Sequence, residues 1–410
     1  MPIIPVGLGA VAAATQDAGH EVHLVDLMNV QDTRSTVEDA IESFHPHVIG
    51  ISVRNIDDQN IRQPLFLLDQ VKAVIADCRS LTDIPIVLGG AGYSMFPEAC
   101  LAYLGADMGI QGEGEVAFPV LLDRLERGSD LSGIPGLYLA GSGPQGKRQF
   151  QKNLDLLPFA DAGLWTPPSA DQHDVYMPVQ TRRGCPMNCS YCSTSCIEGA
   201  IIRKRRPKAV VDALAHLVER GFRRFFFTDN IFNIPPSYAR ELCRAIADRD
   251  LEIVWRCIIY PGKLDEALVK EMWRSGCREV SLGFESGCAS ILKAMNKKFT
   301  PEDVRRACDM LADHGIFQMG FLLLGGPGET KASVEESVAF ADSLPVNVMK
   351  MTPGIRIYPF TSIAKQALVE GVITPEDNLL FPRFYMVPEL EDWLLEATSQ
   401  YLAERPNWVA

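Results

Sequence analysis

No stretch of 18 or more uncharged apolar residues occurs in this 410-residue chain, so no segment reads as a membrane-crossing helix. The opening MPIIPVGLGAVAAATQDAGHEVH lacks the positive start of a secretory signal, and a cytoplasmic protein is expected. Positive charge is in deficit: 39 Lys and Arg face 52 Asp and Glu, for a formal net charge of -13. That balance argues against a general grip on nucleic acid or on an anionic membrane, and neither is expected as a partner. Low-complexity repetition is absent as well. With 47% hydrophobic and 22% charged residues, the chain suits one large or two ordinary globular domains. Nor do the cysteines form an even, dispersed set fit for disulfides. There are eleven, and four fall between Cys185 and Cys196, which points to a metal site.

The first 140 residues alternate apolar strand patterns (19–27, 47–53, 84–90, 106–112) with helical ones (7–18, 35–44, 60–77, 96–104, 115–128), as in a Rossmann-like α/β domain. In such a sheet a ligand lies beyond the carboxyl ends of the strands, at Ser52, Arg54, Gly89, Gly90, Gly112 and Gly114. Residues 141–176, rich in turn formers, read as a linker. A second α/β series occupies 177–360, with strands at 177–184, 223–229, 252–259, 279–286, 316–326 and 348–358. Helices fit the gaps at 207–220, 236–249, 264–275, 300–314 and 332–343. This is the pattern of a partial (β/α)6 barrel of TIM type, whose chemistry belongs at the C-terminal strand ends. Residues 361–410 read as a small helical cap.

The sharpest motif is RRGCPMNCSYCS, with Cys185, Cys189 and Cys192 at Cys-x3-Cys-x2-Cys spacing after the first barrel strand. Gly184 and Pro186 read as making this loop flexible. Three thiolates this close suit three irons of a four-iron cluster and leave the fourth iron open. The rival is a closed zinc site with Cys196 as fourth ligand, which would make the chain a zinc-stabilised binding module rather than an enzyme.

With Tyr191 before the last cysteine, the segment 177–360 resembles the radical S-adenosylmethionine (SAM) superfamily. The resemblance implies a [4Fe-4S] cluster on Cys185, Cys189 and Cys192 whose open iron chelates SAM, and an external one-electron reductant of flavodoxin or ferredoxin type. It also implies roles at the strand ends. Asp229, Asn230 and Phe232 stand at the site that meets the SAM amino group, Arg256 suits its carboxylate, and Glu285 and Ser286 suit the ribose or methionyl part. Gly325 and Gly326, in GGPGET, suit a close approach by adenine. The basic run Arg203, Lys204, Arg205, Arg206 and Lys208 reads as a solvated helix entry, and the seven other cysteines as small core residues.

Residues 1–140 resemble the cobalamin-binding domain that precedes the barrel in one radical SAM subfamily, mostly methyltransferases. Gly89, Gly90, Gly112, Glu113 and Gly114 match that family's loops for the cobalamin tail. The Asp-x-His-x-x-Gly pattern that supplies a histidine ligand is absent; its nearest approach is Asp171-Gln-His173, with Tyr176 at the glycine position. Arg54 falls where the lower corrin face belongs, and a cation there disfavours further positive charge on cobalt. The family's first strand is missing or reduced to MPIIPV. Gly7-Leu-Gly9 before Asp26 mimics a dinucleotide fingerprint and Gly141-x4-Gly146-Lys147 a phosphate loop, but neither has the strand-to-helix setting its chemistry needs.

The resemblance implies a cobalamin-dependent radical SAM methyltransferase that moves a methyl group from SAM, via methylcobalamin, to an unactivated carbon of a small molecule. The enzymatic alternative is a radical cyclase, rearrangement or C–H oxidation enzyme. Arg356, Tyr358, Thr361, Phe384, Tyr385 and Trp393 of the cap are candidates for a substrate pocket.

Overall fold

A computed structural model of the protein describes residues 4–28, 30–165 and 175–410. Its N-terminal sheet is built from β1 (Ile49–Ser52), β2 (Ile86–Gly89), β3 (Met108–Ile110), β4 (Leu137–Leu139) and β5 (Gly143–Pro144), in that spatial order. Strands β1, β2 and β3 are parallel, and β4 and β5 add antiparallel at one edge. Helices Val6–Asp17, Thr33–Phe44, Leu68–Leu81, Pro97–Leu104 and Gly114–Glu126 match the helical periodicity. A further short helix, Ala91–Met95, follows β2 directly.

Three expectations fail here. Residues 20–27 form no ladder among the described residues: exposure alternates only over 21–24, and His23 stacks on Phe44. The helix expected from residue 60 starts at Leu68. Asp57, Asp58 and Asn60 accept hydrogen bonds from the amides of Gln59, Asn60, Leu65 and Arg62, which holds a turn where the helix was expected. Part of the supposed linker, β5, belongs to the sheet. Residues 1–3 of MPIIPV, and Asp171 and His173, lie outside the described residues.

The second sheet contains β6 (Met177–Val179), β9 (Arg224–Phe227), β10 (Val254–Ile259), β11 (Cys277–Glu285), β12 (Phe317–Leu324) and β13 (Val348–Pro353), all parallel and in sequence order. Between β6 and β9 the ribbon β7 (Arg182–Arg183) and β8 (Arg203–Lys204) closes the neck of the cysteine loop. The six strands match the six expected ones. A seventh, β16 (Trp408–Val409), pairs with β13, so the C-terminal region is not purely helical. A short ribbon of β14 (Ile355–Arg356) and β15 (Phe384–Tyr385) lies there too.

Alternation assigns the faces of this sheet. Phe225, Phe227, Trp255, Cys257, Leu282, Leu322 and Met349 are buried with the apolar stripes of helices such as Pro207–Glu219, Pro236–Arg249 and Pro301–Asp313. The last of these is fixed by a capping box between Thr300 and Asp303 and by Pro301 at its first position. A second cluster crosses between the two sheets: Tyr93, Met95 and Phe96 share it with Met295, Ile355 and Ile357, and Tyr191, Cys196 and Ile197 pack on it.

Candidate functional site

Strand β6 leads directly into the cysteine loop, and the ribbon β7–β8 pinches it shut. The loop is tightly held rather than flexible. Gly184 has φ +88°, and a Cβ there would lie 2.2 Å from the Ile201 carbonyl oxygen, so only glycine fits. The Cys185 amide donates to the Gly199 carbonyl at 3.0 Å, and the Cys192 amide to that of Cys189 at 3.2 Å. Glu198 ties the neck together, accepting from Gln180 Nε2 at 2.9 Å, from the Gly184 amide at 3.0 Å, and from Asn230 Nδ2.

Cys185, Cys189, Cys192 and Cys196 are free and partly exposed, whereas the other seven cysteines are buried, as expected of core residues. Burial pushes the Cys185 thiol up to about 11, and Cys189 and Cys192 push it the same way. Cys189 is also raised by burial, against the pull of the Lys297 cation. Among the described residues no three His, Cys, Asp or Glu side chains converge on a point that a single metal ion could fill.

Tyr191 reaches the end of β11, where its hydroxyl donates to Glu285 Oε1 at 2.8 Å. Glu285 sits at a register shift with φ +69°. Lys297, which no motif singles out, completes the group: Nζ donates to Tyr191 at 2.9 Å, to Glu285 at 3.1 Å and to the Gly283 carbonyl at 3.2 Å. Burial opposes its charge, but Glu285 and Cys189 hold it above the ordinary lysine value.

Several residues expected at SAM are engaged elsewhere. Asp229 is fully buried and accepts from the Thr181 and Arg182 amides at 2.7 and 3.0 Å, from the Thr181 hydroxyl at 2.5 Å, and pairs with Arg182 at 3.0 Å. It braces the strand entering the loop. Phe232 is buried beneath the Arg182 guanidinium. Arg256 lies in the first half of β10, stacked on Tyr176 and Phe226 and paired with Glu279 at 3.4 Å. In register Arg256 stands opposite Phe226, which in turn pairs with Pro178 in the middle of β6, so it lies within the sheet rather than at the strand ends. Ser286 bonds Ser337 at 2.8 Å and accepts the Cys288 amide at 3.1 Å. A Cβ at Gly325 would meet Met386 at 3.0 Å, and one at Gly326 would meet Ile355 at 3.1 Å, so the chain itself makes the close approach. Both glycine amides donate to buried Glu329, whose other oxygen has no partner among the described residues and whose carboxyl burial pushes up to about 7.

At the N-terminal sheet, Ser52 and Arg54 lie at and just beyond the end of β1, and Gly89 ends β2. Arg54 is exposed and, among the described residues, its side chain makes no hydrogen bond or ion pair. A Cβ on Gly89 would meet nothing within 4 Å; on Gly90, with φ +94°, it would strike the Val53 carbonyl. At Gly89 the backbone is bare toward open space, whereas Gly90 is a glycine because the turn back over Val53 leaves no room for a side chain. The third loop differs. Gly112 is crossed by the Arg148 side chain, and Gly114 is bare because Val11 of helix Val6–Asp17 packs there. Glu113 faces the cysteine loop: it pairs with Arg203 at 2.5 Å and Arg183 at 3.2 Å and accepts the Gln151 amide at 2.7 Å. Glu115 pairs with Arg183 at 2.5 Å, and despite burial that cation keeps its carboxyl below the usual range.

The basic run is thus split. Arg203 and Arg205 are buried, the latter donating to the Leu157 and Pro158 carbonyls at 2.6 and 3.1 Å, while Lys204, Arg206 and Lys208 face solvent. Strand alternation, invisible in a charge count, made the difference. In the cap, Arg356 is buried against Asp57, Thr361 caps helix Ser362–Val369, and the Tyr385 hydroxyl donates to Glu370 at 2.7 Å.

Helix Ala91–Met95, which follows Gly89 and Gly90, packs against Thr194–Glu198, the helix that follows Cys192. The two sets of bare or reactive residues are therefore neighbours in one structure.

Family models match the Radical SAM superfamily over residues 179–341 and the B12 binding domain over residues 1–122. The chain is 27% identical to the uncharacterized methyltransferase PH0819 of Pyrococcus horikoshii over 97% of this chain and 86% of that one. To the tryptophan 2-C-methyltransferase of Streptomyces laurentii it is 26% identical, over 89% of this chain and 72% of that one. Among solved structures, the radical S-adenosylmethionine methyltransferase TsrM of Kitasatospora setae with cobalamin and a [4Fe-4S] cluster bound superimposes with a TM-score of 0.79, at 26% identity, over 92% of this chain and 74% of that one.

Proposed function

Because this chain belongs to the radical SAM enzymes that carry a B12 binding domain, we propose that it is a methyltransferase that moves a methyl group from SAM, by way of cobalamin, to a carbon of a small molecule. The carrying observation is the contact between helices Ala91–Met95 and Thr194–Glu198, which sets the open ends of β1 and β2 beside the cysteine loop. When bound, the cluster supplies an electron and an open iron for SAM, and cobalamin supplies a methyl carrier. The protein's part is to hold, orient and shield.

Cys185, Cys189 and Cys192 would hold the cluster, with the loop fixed by Tyr191, Glu285 and Lys297 at one side and by Glu198 at the neck. Asn230 is tied to Glu198 and so orients the helix after the loop. Asp229 acts one step back, as the brace of the entering strand. Gly325, Gly326 and Glu329 shape the end of β12. Ser52, Arg54, Gly89 and Gly90 would line the cobalamin site. There the Arg54 guanidinium, which has no lone pair to offer a metal, would oppose added positive charge on the bound group. Residues 1–140 together with β5 form the cobalamin-binding unit in this reading, 177–360 the SAM unit and 361–410 a cap, with the rest of 141–176 between them. An external one-electron reductant of flavodoxin or ferredoxin type serves it in the cytoplasm. Among the described residues no helix is long and apolar enough to cross a membrane.

The test is anaerobic reconstitution with iron, sulfide and hydroxocobalamin, then desalting and metal analysis, followed by turnover of methyl-deuterated SAM with candidate small molecules. About one cobalamin and roughly four irons per chain, with S-adenosylhomocysteine and a labelled product, support the reading. Formation of 5'-deoxyadenosine without S-adenosylhomocysteine sinks methyl transfer in favour of a cyclase or rearrangement. One zinc and no sulfide sinks the enzyme.

A further inference from the structure

After helix Ala289–Ala294 the chain runs past the cysteine loop, and three consecutive residues bind it. The Ser190 amide donates to the Met295 carbonyl at 3.1 Å, Asn296 Nδ2 to the Asn188 carbonyl at 2.6 Å, and Lys297 Nζ to the Tyr191 hydroxyl at 2.9 Å. The loop residues held are the neighbours of Cys189 and Cys192. Both asparagines are left-handed, with φ +58° at Asn296 and +51° at Asn188, so the two backbones turn toward each other where they meet.

Lys297 is the unusual member. Its side chain is 5% exposed, and its three N–H bonds match its three acceptors, Tyr191, Glu285 and Gly283. A lysine rarely gives up hydration this fully. Packing alone would be met by an apolar side chain of that length. A fixed ammonium beside a site that gains an electron has a definite effect: it stabilises the more negative state, and low polarizability of the surroundings enlarges the effect.

We infer that residues 295–297 are a strap that positions the cluster loop, and that the Lys297 ammonium is a fixed cation that favours the one-electron-reduced cluster. Lys297 is a positioning residue acting through Tyr191 and Glu285. The inference rests on the three cysteines holding a [4Fe-4S] cluster, which iron and sulfide analysis of the wild type checks first.

The experiment poises reconstituted full-length wild type, Lys297→Met and Lys297→Arg at the same solution potential with dithionite and mediators, and counts reduced cluster by electron paramagnetic resonance. Lys297→Met with wild-type iron and sulfide is expected to show a reduced-to-oxidised ratio at least about tenfold lower, which equals 59 mV for a one-electron couple. Lys297→Arg, which keeps the charge, is expected to stay near wild type. An unchanged ratio in Lys297→Met with the cluster retained overturns the inference and leaves the cluster assignment standing. If Lys297→Met holds no cluster, Lys297→Arg decides: a normal cluster and ratio there supports the charge, and loss there too overturns it in favour of plain packing. A wild type without iron and sulfide is the failure of the underlying functional reading instead.

Discussion

Arg356 and Asp57, 299 residues apart, form an ion pair at 2.8 Å that water does not reach, the side chains being 2% and 0% exposed. Arg356 also donates to the Ile357, Leu379 and Leu380 carbonyls. The pair bolts the loop after β1 to the ribbon β14–β15. Removing one partner strands the other charge, which typically costs about 3–5 kcal/mol. Asp57→Asn or Arg356→Met is therefore expected to lower the midpoint of thermal unfolding markedly, while the double variant Asp57→Leu with Arg356→Met recovers most of the loss. Equal loss in single and double variants would show that the geometry, not the stranded charge, matters.

Cluster retention should separate the four clustered cysteines. Cys185→Ala, Cys189→Ala and Cys192→Ala are each expected to lose most of the iron and sulfide of the reconstituted protein. Cys196→Ala is expected to keep them, since only three thiols are needed. Zinc binding that depends on all four would reverse this assignment.

The Glu329 carboxyl, raised by burial from the ordinary 4.5 to about 7, gives a pH dependence with a definite sign. The folded state holds this proton more tightly than the unfolded chain does, so its stabilising contribution is complete below about 4.5 and is lost as pH rises through about 7. At about 1.4 kcal/mol per unit the loss is on the order of 3 kcal/mol. Between pH 6 and pH 8 the unfolding midpoint of the wild type should fall further than that of Glu329→Gln. Parallel curves for the two proteins would contradict the buried position of this carboxyl.

Arg54→Ala removes an exposed side chain that makes no ion pair among the described residues, so the change in stability should stay within about 0.5 kcal/mol. The bound cobalamin should nonetheless become harder to reduce, seen as a lower potential in an anaerobic spectroscopic titration. Unchanged cobalamin redox would return Arg54 to the ordinary protein surface.

How much of this was legible beforehand depended on the range of the interaction. The six strands of the second sheet and their five helices follow from local periodicity, and so does the placement of the cysteine loop after β6. The segment 20–27 reads as a strand but finds no ladder partner among the described residues, and pairing is not a local property. The same limit governs the site. Cys185, Cys189 and Cys192 announce themselves by spacing, whereas Lys297 meets Tyr191 across 106 residues and Arg203 meets Glu113 across 90. Ser286 and Asp229 sit at the expected strand ends, yet buried neighbours engage them first.

The apolar cluster that crosses from Tyr93 and Phe96 to Met295, Ile355 and Ile357 has a consequence for traffic. Opening the two units like a shell would expose that cluster to water and break the Asp57–Arg356 and Glu113–Arg203 pairs at once. Turnover that required such a motion would be slow on energetic grounds alone. The seam between the two units is therefore part of the folded core rather than a hinge that opens at little cost, and the spacing between the strand ends of the first sheet and the cysteine loop is a property of the closed fold.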